Sequence, residues 1–133
     1  MTDFFRIELT EDQLREVSSL WLAYVGDCVF ELLVRSHLLL GGRHTNRSLH
    51  AAAVELSRAG AQAGAAARLL PHLSVAELAV YRRGRNSRVH SVPKSADIEQ
   101  YHAATGLECL FGWLYLRGDR ARVNELFRII VED

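Results

Sequence analysis

Two acidic residues stand alone inside apolar helical runs, and they are the first candidates for chemistry. Leu22-Ala23-Tyr24-Val25-Gly26-Asp27-Cys28-Val29-Phe30 carries Asp27 as its one charge, and Thr105-Gly106-Leu107-Glu108-Cys109-Leu110-Phe111-Gly112 carries Glu108 alone. A buried carboxylate without a partner costs several kcal/mol, so each must be paired, protonated or bound to a metal. Glycines lie close to both, Gly26 beside Asp27 and Gly106 and Gly112 around Glu108. A glycine in a helix interior costs about 1 kcal/mol relative to alanine, and close approach of the two helices would give these a packing reason.

Asp27 and Glu31 are four residues apart and share a helix face; Asp97, Tyr101, Thr105 and Glu108 form a comparable stripe further along the chain. If the two faces meet, carboxylates converge, and a set of oxygen ligands favours Mg²⁺ or Mn²⁺. The competing reading makes Asp27 the structural ion-pair partner of an arginine such as Arg35 or Arg58. Spacing alone leaves both readings open.

A second kind of chemistry is signalled by charge. The formal net charge is zero, but its distribution is not even. From Arg35 to Lys94 ten basic residues face only Glu55 and Glu77, a central block of +8, and the rest of the chain carries −8. Fifteen of the sixteen basic residues are arginine, whose planar fork suits phosphate. The densest cluster holds Arg82, Arg83, Arg85, Asn86 and Arg88 and runs to Lys94 without an acid. It reads as a phosphate-contacting loop, against the plainer alternative of a solvated one.

These groups need elements to position them. The chain has 133 residues, 49% hydrophobic and 24% charged, which suits one packed domain spanning residues 1–133 and argues against disorder. Nine glycines and two prolines leave little room for the turns of a many-stranded sandwich. Thr10 with Gln13 marks a first helix start, and Ser18 or Ser19 opens a stronger helix that Gly41-Gly42 ends near Leu40. Asn46 or Ser48 would cap an alanine-rich helix from Leu49 to Leu70, stopped by Pro71. Its small residues Ala59, Gly60, Ala63, Gly64 and Ala67 would permit close helix approach, although helix propensity alone explains them. Ser74 with Glu77 caps a short helix closed by Gly84; residues 85–93 read as a loop. Ser95 would cap a long helix ended by Gly118, and Asp119 starts the last. The predicted fold is all-α, a single-domain bundle of about six helices. Cys28 and Cys109 are isolated, forming neither a zinc motif nor a disulfide framework, and both read as small buried residues. There is no basic-then-apolar leader and no run of about 18 apolar residues, so the expected location is the cytoplasm, with no membrane partner.

The stretch Leu22-Ala23-Tyr24-Val25-Gly26-Asp27-Cys28-Val29-Phe30-Glu31 resembles the signature helix of the ribonuclease III family, and Glu108-Cys109-Leu110-Phe111-Gly112 resembles its second catalytic segment. Arg82-Arg83-Gly84-Arg85-Asn86, Pro93-Lys94-Ser95-Ala96-Asp97, Tyr101 and Ala104-Thr105-Gly106 are similar to the Mini-III branch of that family. The resemblance runs from about Ser19 to the end of the chain. It departs from the wider family at Leu20, Ala23 and Thr105, where acids are usual, so that only Asp27 and Glu108 of the metal-site acids remain. This thinning is itself like Mini-III, and it implies a metal shell completed by water and phosphate, with weak metal binding in the absence of RNA.

The resemblance implies a ribonuclease III catalytic-domain-like fold without an appended double-stranded-RNA-binding domain, a role that the basic central block would take over. It implies a metal-dependent endoribonuclease that cleaves double-stranded RNA to 5′-phosphate and 3′-hydroxyl ends, acting in maturation of ribosomal, especially large-subunit, RNA precursors. Asp27 and Glu108 would be the catalytic and metal-holding residues, with Mg²⁺ as cofactor and Mn²⁺ as a substitute. Glu31, Asp97 and Thr105 are weaker candidates for support around the metal, Asp97 being better read as an acid at a helix N-terminus. Arg82, Arg83, Arg85, Asn86, Arg88 and Lys94 would contact RNA phosphates and 2′-hydroxyls by shape; Arg47 and His50 are weaker candidates. The expected assembly is a homodimer with one site per strand, in which Trp21, Val25 and Phe30 either meet the partner or lie in the core. A ribosomal protein is admitted as a further partner. The alternatives are a catalytically silent RNA-binding module on the same fold and a structural interaction module. A di-iron bundle would need a second Glu-x-x-His motif beside Glu99–His102, and none is found.

Overall fold

The structure is a computed structural model that describes residues 1–42, 45–87 and 97–132. Among the described residues it has no strand and seven α-helices: α1 (Glu11–Arg15), α2 (Ser19–Leu40), α3 (Asn46–Ser57), α4 (Ala59–Leu69), α5 (Val75–Arg85), α6 (Ile98–Arg117) and α7 (Arg120–Val131). A 3₁₀ turn, Leu70–His72, follows α4. The all-α expectation holds, and no helix among these residues is long and apolar enough to cross a membrane.

The helix count rises from six to seven because the alanine-rich segment is broken. Arg58 adopts ψ 156°, donating its N–H to the Val54 carbonyl as the C-cap of one helix and lending its own carbonyl to the Gln62 N–H as the N-cap of the next. No glycine or proline marks this break, so the residue pattern reads straight through it. The small-residue stripe is also not the packed one. Gly64 and Ala67 face solvent, and α4 buries Gln62, Ala65, Ala66 and Leu69.

Helix starts follow the side-chain chemistry of N-caps. Thr10–Gln13 and Ser74–Glu77 close reciprocal capping boxes, and Ser18 and Asp119 cap α2 and α7. Thr45, rather than Asn46 or Ser48, caps α3. Asp97 caps α6 through the Gln100 N–H at 3.1 Å, displacing the expected Ser95, which lies outside the described residues. Gly118 ends α6 at φ 84°, where an L side chain would be strained.

α6 is the axis of the molecule. From Ala104 to Leu114 it is buried nearly all round, with Leu107, Leu110, Phe111 and Leu114 each at most 1% exposed. α2, α4, α5 and α7 pack about it. Phe30 of α2 meets Phe111 of α6 and Phe127 of α7 edge-to-face, with centroids 5.7 and 6.0 Å apart. Phe30 is thus a core residue, whereas Trp21 is exposed and Val25 half-buried. Cys109 is buried, but Cys28 is exposed, against the expectation that both would be interior.

Candidate active site

The site is made by the crossing of α2 and α6. A side-chain carbon added to Gly26 would overlap the Glu108 carbonyl, and one added to Gly112 would overlap the carbonyl of Leu22. The two helices therefore touch backbone to backbone, which only glycine allows on both sides. A second crossing lies behind it. Gly84 of α5 sits where a Cβ would come within 2.6 Å of the Cys109 sulfur, and Gly106 would press on Tyr81 at 2.8 Å. Gly84 therefore does not stop α5, which continues to Arg85 with Asn86 as C-cap; it serves the contact with α6 instead.

The α2–α6 crossing brings the two lone acids together. The carboxyl groups of Asp27 and Glu108 lie side by side, close enough for one to hydrogen-bond the other. Burial first, then the negative charge of Asp27 and that hydrogen bond, and finally the more distant Glu31, push Glu108 up to about 8. At neutral pH Glu108 is therefore largely protonated, and Asp27 is the solvent-exposed member of the pair. The ion-pair alternative fails among the described residues. Arg35 Nε bonds Glu31 at 3.2 Å and Arg58 Nε bonds Glu55 at 3.1 Å, so neither arginine serves Asp27.

The supporting acids divide. Glu31 is near enough to affect Glu108, but its carboxylate is held by Arg35. Asp97 is a helix cap eleven residues before Glu108, about 16 Å along the axis, which removes it from the acid pair. The Thr105 hydroxyl donates to the Tyr101 carbonyl of its own helix at 3.0 Å. Sequence reasoning missed one group. Gln62 of α4, 3% exposed, lies within hydrogen-bonding reach of the Glu108 side chain and favours its ionised form. The available signal was its register: Gln62, Ala65, Ala66 and Leu69 recur at the spacing of one helix face, a polar residue in a core position.

The basic cluster takes a different form from the expected loop. Arg82, Arg83 and Arg85 occupy the last turn of α5, all exposed, with Asn86 just beyond; Arg88 and Lys94 lie outside the described residues. Arg83 is largely committed within the chain. Its Nε donates to Ser19 Oγ at 2.8 Å and its Nη2 to the Val17 carbonyl at 3.0 Å, fastening α5 to the start of α2. Arg85 lies over the Tyr81 ring at 5.9 Å and donates to Asn86 Oδ1 at 3.3 Å.

Residues 20–119 match the family model of the ribonuclease III domain. The chain is 44% identical over 109 residues to the Mini-ribonuclease 3 of Symbiobacterium thermophilum, covering 82% of this chain and 84% of that one. It is 31% identical over 129 residues to the Mini-ribonuclease 3 of Clostridium tetani, covering 96% and 85%. A crystal structure of a Fusobacterium nucleatum protein shares the fold at TM-score 0.80 and 24% identity, covering 90% of this chain and 95% of that one. The chain belongs to the ribonuclease III family, in its Mini-ribonuclease III branch.

Proposed function

We propose that this chain is a divalent-metal-dependent endoribonuclease that hydrolyses double-stranded RNA at the Asp27–Glu108 pair. The observation that carries the reading is the meeting of two lone acids from remote helices, side by side, with no cation among the described residues paired to either. Two hard oxygen donors suit Mg²⁺, with Mn²⁺ as a substitute. Among the described residues no cluster of three or more His, Cys, Asp or Glu is arranged to hold a metal, so RNA phosphate and water complete the shell.

When bound, the ion supplies water activation and neutralises charge on the in-line transition state. The chain's own part is to hold two carboxylates at a point where α2 and α6 are locked together. Glu108 must lose its proton to become a ligand, so cation binding below about pH 8 releases a proton. Arg82, Arg85 and Asn86, together with Arg83, Arg88 and Lys94, hold the duplex backbone by its phosphates and 2′-hydroxyls. The products are 5′-phosphate and 3′-hydroxyl ends.

A homodimer fits α2, which exposes Leu20 at 72%, Trp21 at 59%, Tyr24 at 65% and Leu32 at 55% along its length. Two copies would present one acid pair to each strand. The Mini-ribonuclease III relationship points to a cytoplasmic role in maturation of a large-subunit ribosomal RNA precursor. The test is incubation with long duplex RNA and Mg²⁺, with and without chelator, followed by analysis of product ends. Chelator-sensitive cleavage with 5′-phosphate ends is expected. Binding without cleavage would leave a silent RNA-binding module in its place.

A further inference from the structure

Three elements, not two, converge on Glu108. α2 brings Asp27, α6 carries Glu108 itself, and α4 supplies Gln62 from a face otherwise made of Ala65, Ala66 and Leu69. α4 packs against α6 and buries this face, Gln62 included. α4 starts at the break at Arg58, four residues before Gln62.

We infer that Gln62 is a positioning residue: it holds the Glu108 carboxyl group in the orientation from which, with Asp27, it grips a divalent cation. This inference rests on the metal-dependent reading above. The residue type is telling. A glutamate side chain has several rotatable bonds, and burying an amide is unfavourable unless it is hydrogen-bonded. Gln62 is 3% exposed and its side chain comes within hydrogen-bonding reach of the Glu108 carboxyl group, so a buried donor is placed to orient the ligand. Lysine or arginine here would place a positive charge where the cation must come. A third carboxylate would add repulsion to a pair already close, and an apolar residue would orient nothing. The amide alone directs the carboxylate without cancelling its charge. Partners of this kind beside metal-ligating carboxylates commonly affect metal affinity 10–100-fold.

The test uses the full chain and Mn²⁺ as the probe, with binding read by calorimetry and folding by thermal melts. Q62M, similar in shape but without the amide, should keep a cooperative melt and bind Mn²⁺ about 10–100-fold more weakly. In duplex RNA cleavage it should need correspondingly more Mn²⁺ for half-maximal rate and return towards the parent rate at saturation. Parental Mn²⁺ affinity in Q62M, or a rate that stays low at saturating Mn²⁺, overturns the inference. If Q62M fails to melt cooperatively, Q62N decides, since it keeps the amide but withdraws it by one methylene. Weakened Mn²⁺ binding in Q62N supports the inference and unchanged binding overturns it. D27N separates the two levels. If D27N binds Mn²⁺ as well as the parent does, the metal site itself is wrong, whatever Gln62 does.

Discussion

Glu77 and Glu108 are both acids taken out of water, and the chain treats them in opposite ways. Glu77, 6% exposed, is gripped by Arg122 through Nε at 2.8 Å and Nη2 at 2.9 Å, and accepts the Ser74 N–H at 2.8 Å. The Arg122 hydrogen bond, outweighing burial, lowers its pKa. Arg122 also donates to the His72 carbonyl at 2.8 Å, so the pair ties the 3₁₀ turn, α5 and α7 together. Glu108 has an acid and a neutral amide as neighbours, and its pKa moves up to about 8. One site is internally neutralised and closed. The other has no basic partner among the described residues and reaches solvent at Asp27. Burial alone does not distinguish a structural acid from a functional one; the identity of the partner does.

Several substitutions would break or sharpen this contrast. The largest effect should come from removing either member of the open pair. D27N or E108Q should lower duplex RNA cleavage by roughly 10³-fold or more, because charge stabilisation by a metal amounts to several kcal/mol, while thermal melts stay near the parent. R122M should do the reverse, costing about 3–5 kcal/mol in urea unfolding by leaving Glu77 buried and unpaired, with Mn²⁺ affinity unchanged at the other site. G26A should cost about 1–3 kcal/mol by forcing α2 off α6, and should weaken Mn²⁺ binding as well, since the same contact aligns Asp27 with Glu108.

The pH dependence of the two acids has opposite signs. The raised pKa of Glu108 gives the metal-free protein stability that is fully present below 4.5 and is lost as pH rises to about 8. The lowered pKa of Glu77 gives stability present above 4.5 and lost as pH falls below it. Urea melts in chelator should therefore lose stability between pH 4.5 and 8, and E108Q should flatten that slope. Cleavage should rise with pH over the same interval. The smallest effect should be that of D97A, about 1 kcal/mol in melts from the lost α6 cap. Cleavage at saturating metal should be unaffected, because Asp97 is remote from the acid pair.

Much of this contrast was legible in part. Asp27 and Glu108 declared themselves as single charges in apolar runs, and Gly26 and Gly112 as glycines in need of a packing reason. Glu77 was legible only as a capping-box partner of Ser74. Its bond to Arg122 was not, because forty-five residues separate them and nothing in either local pattern names the other. The same limit hid Gln62 behind an alanine-rich run. The break at Arg58 carries no breaker residue, so one helix was expected where two form. Arg85 reads as the start of a loop because Gly84 looks like a helix stop, although its role is to let α5 settle against Cys109.

Helix caps, the apolar period and lone charges are local quantities, encoded within a turn or two of chain; by themselves they determined an all-helical fold, its two unusual acids and the segregation of its arginines. Which side chains meet is not local. The crossing of α2 and α6, the reach of Gln62 from α4 and the capture of Glu77 by Arg122 were decided only when the helices packed. Proximity in space sets the electrostatics of a carboxyl group, and distance along the chain does not.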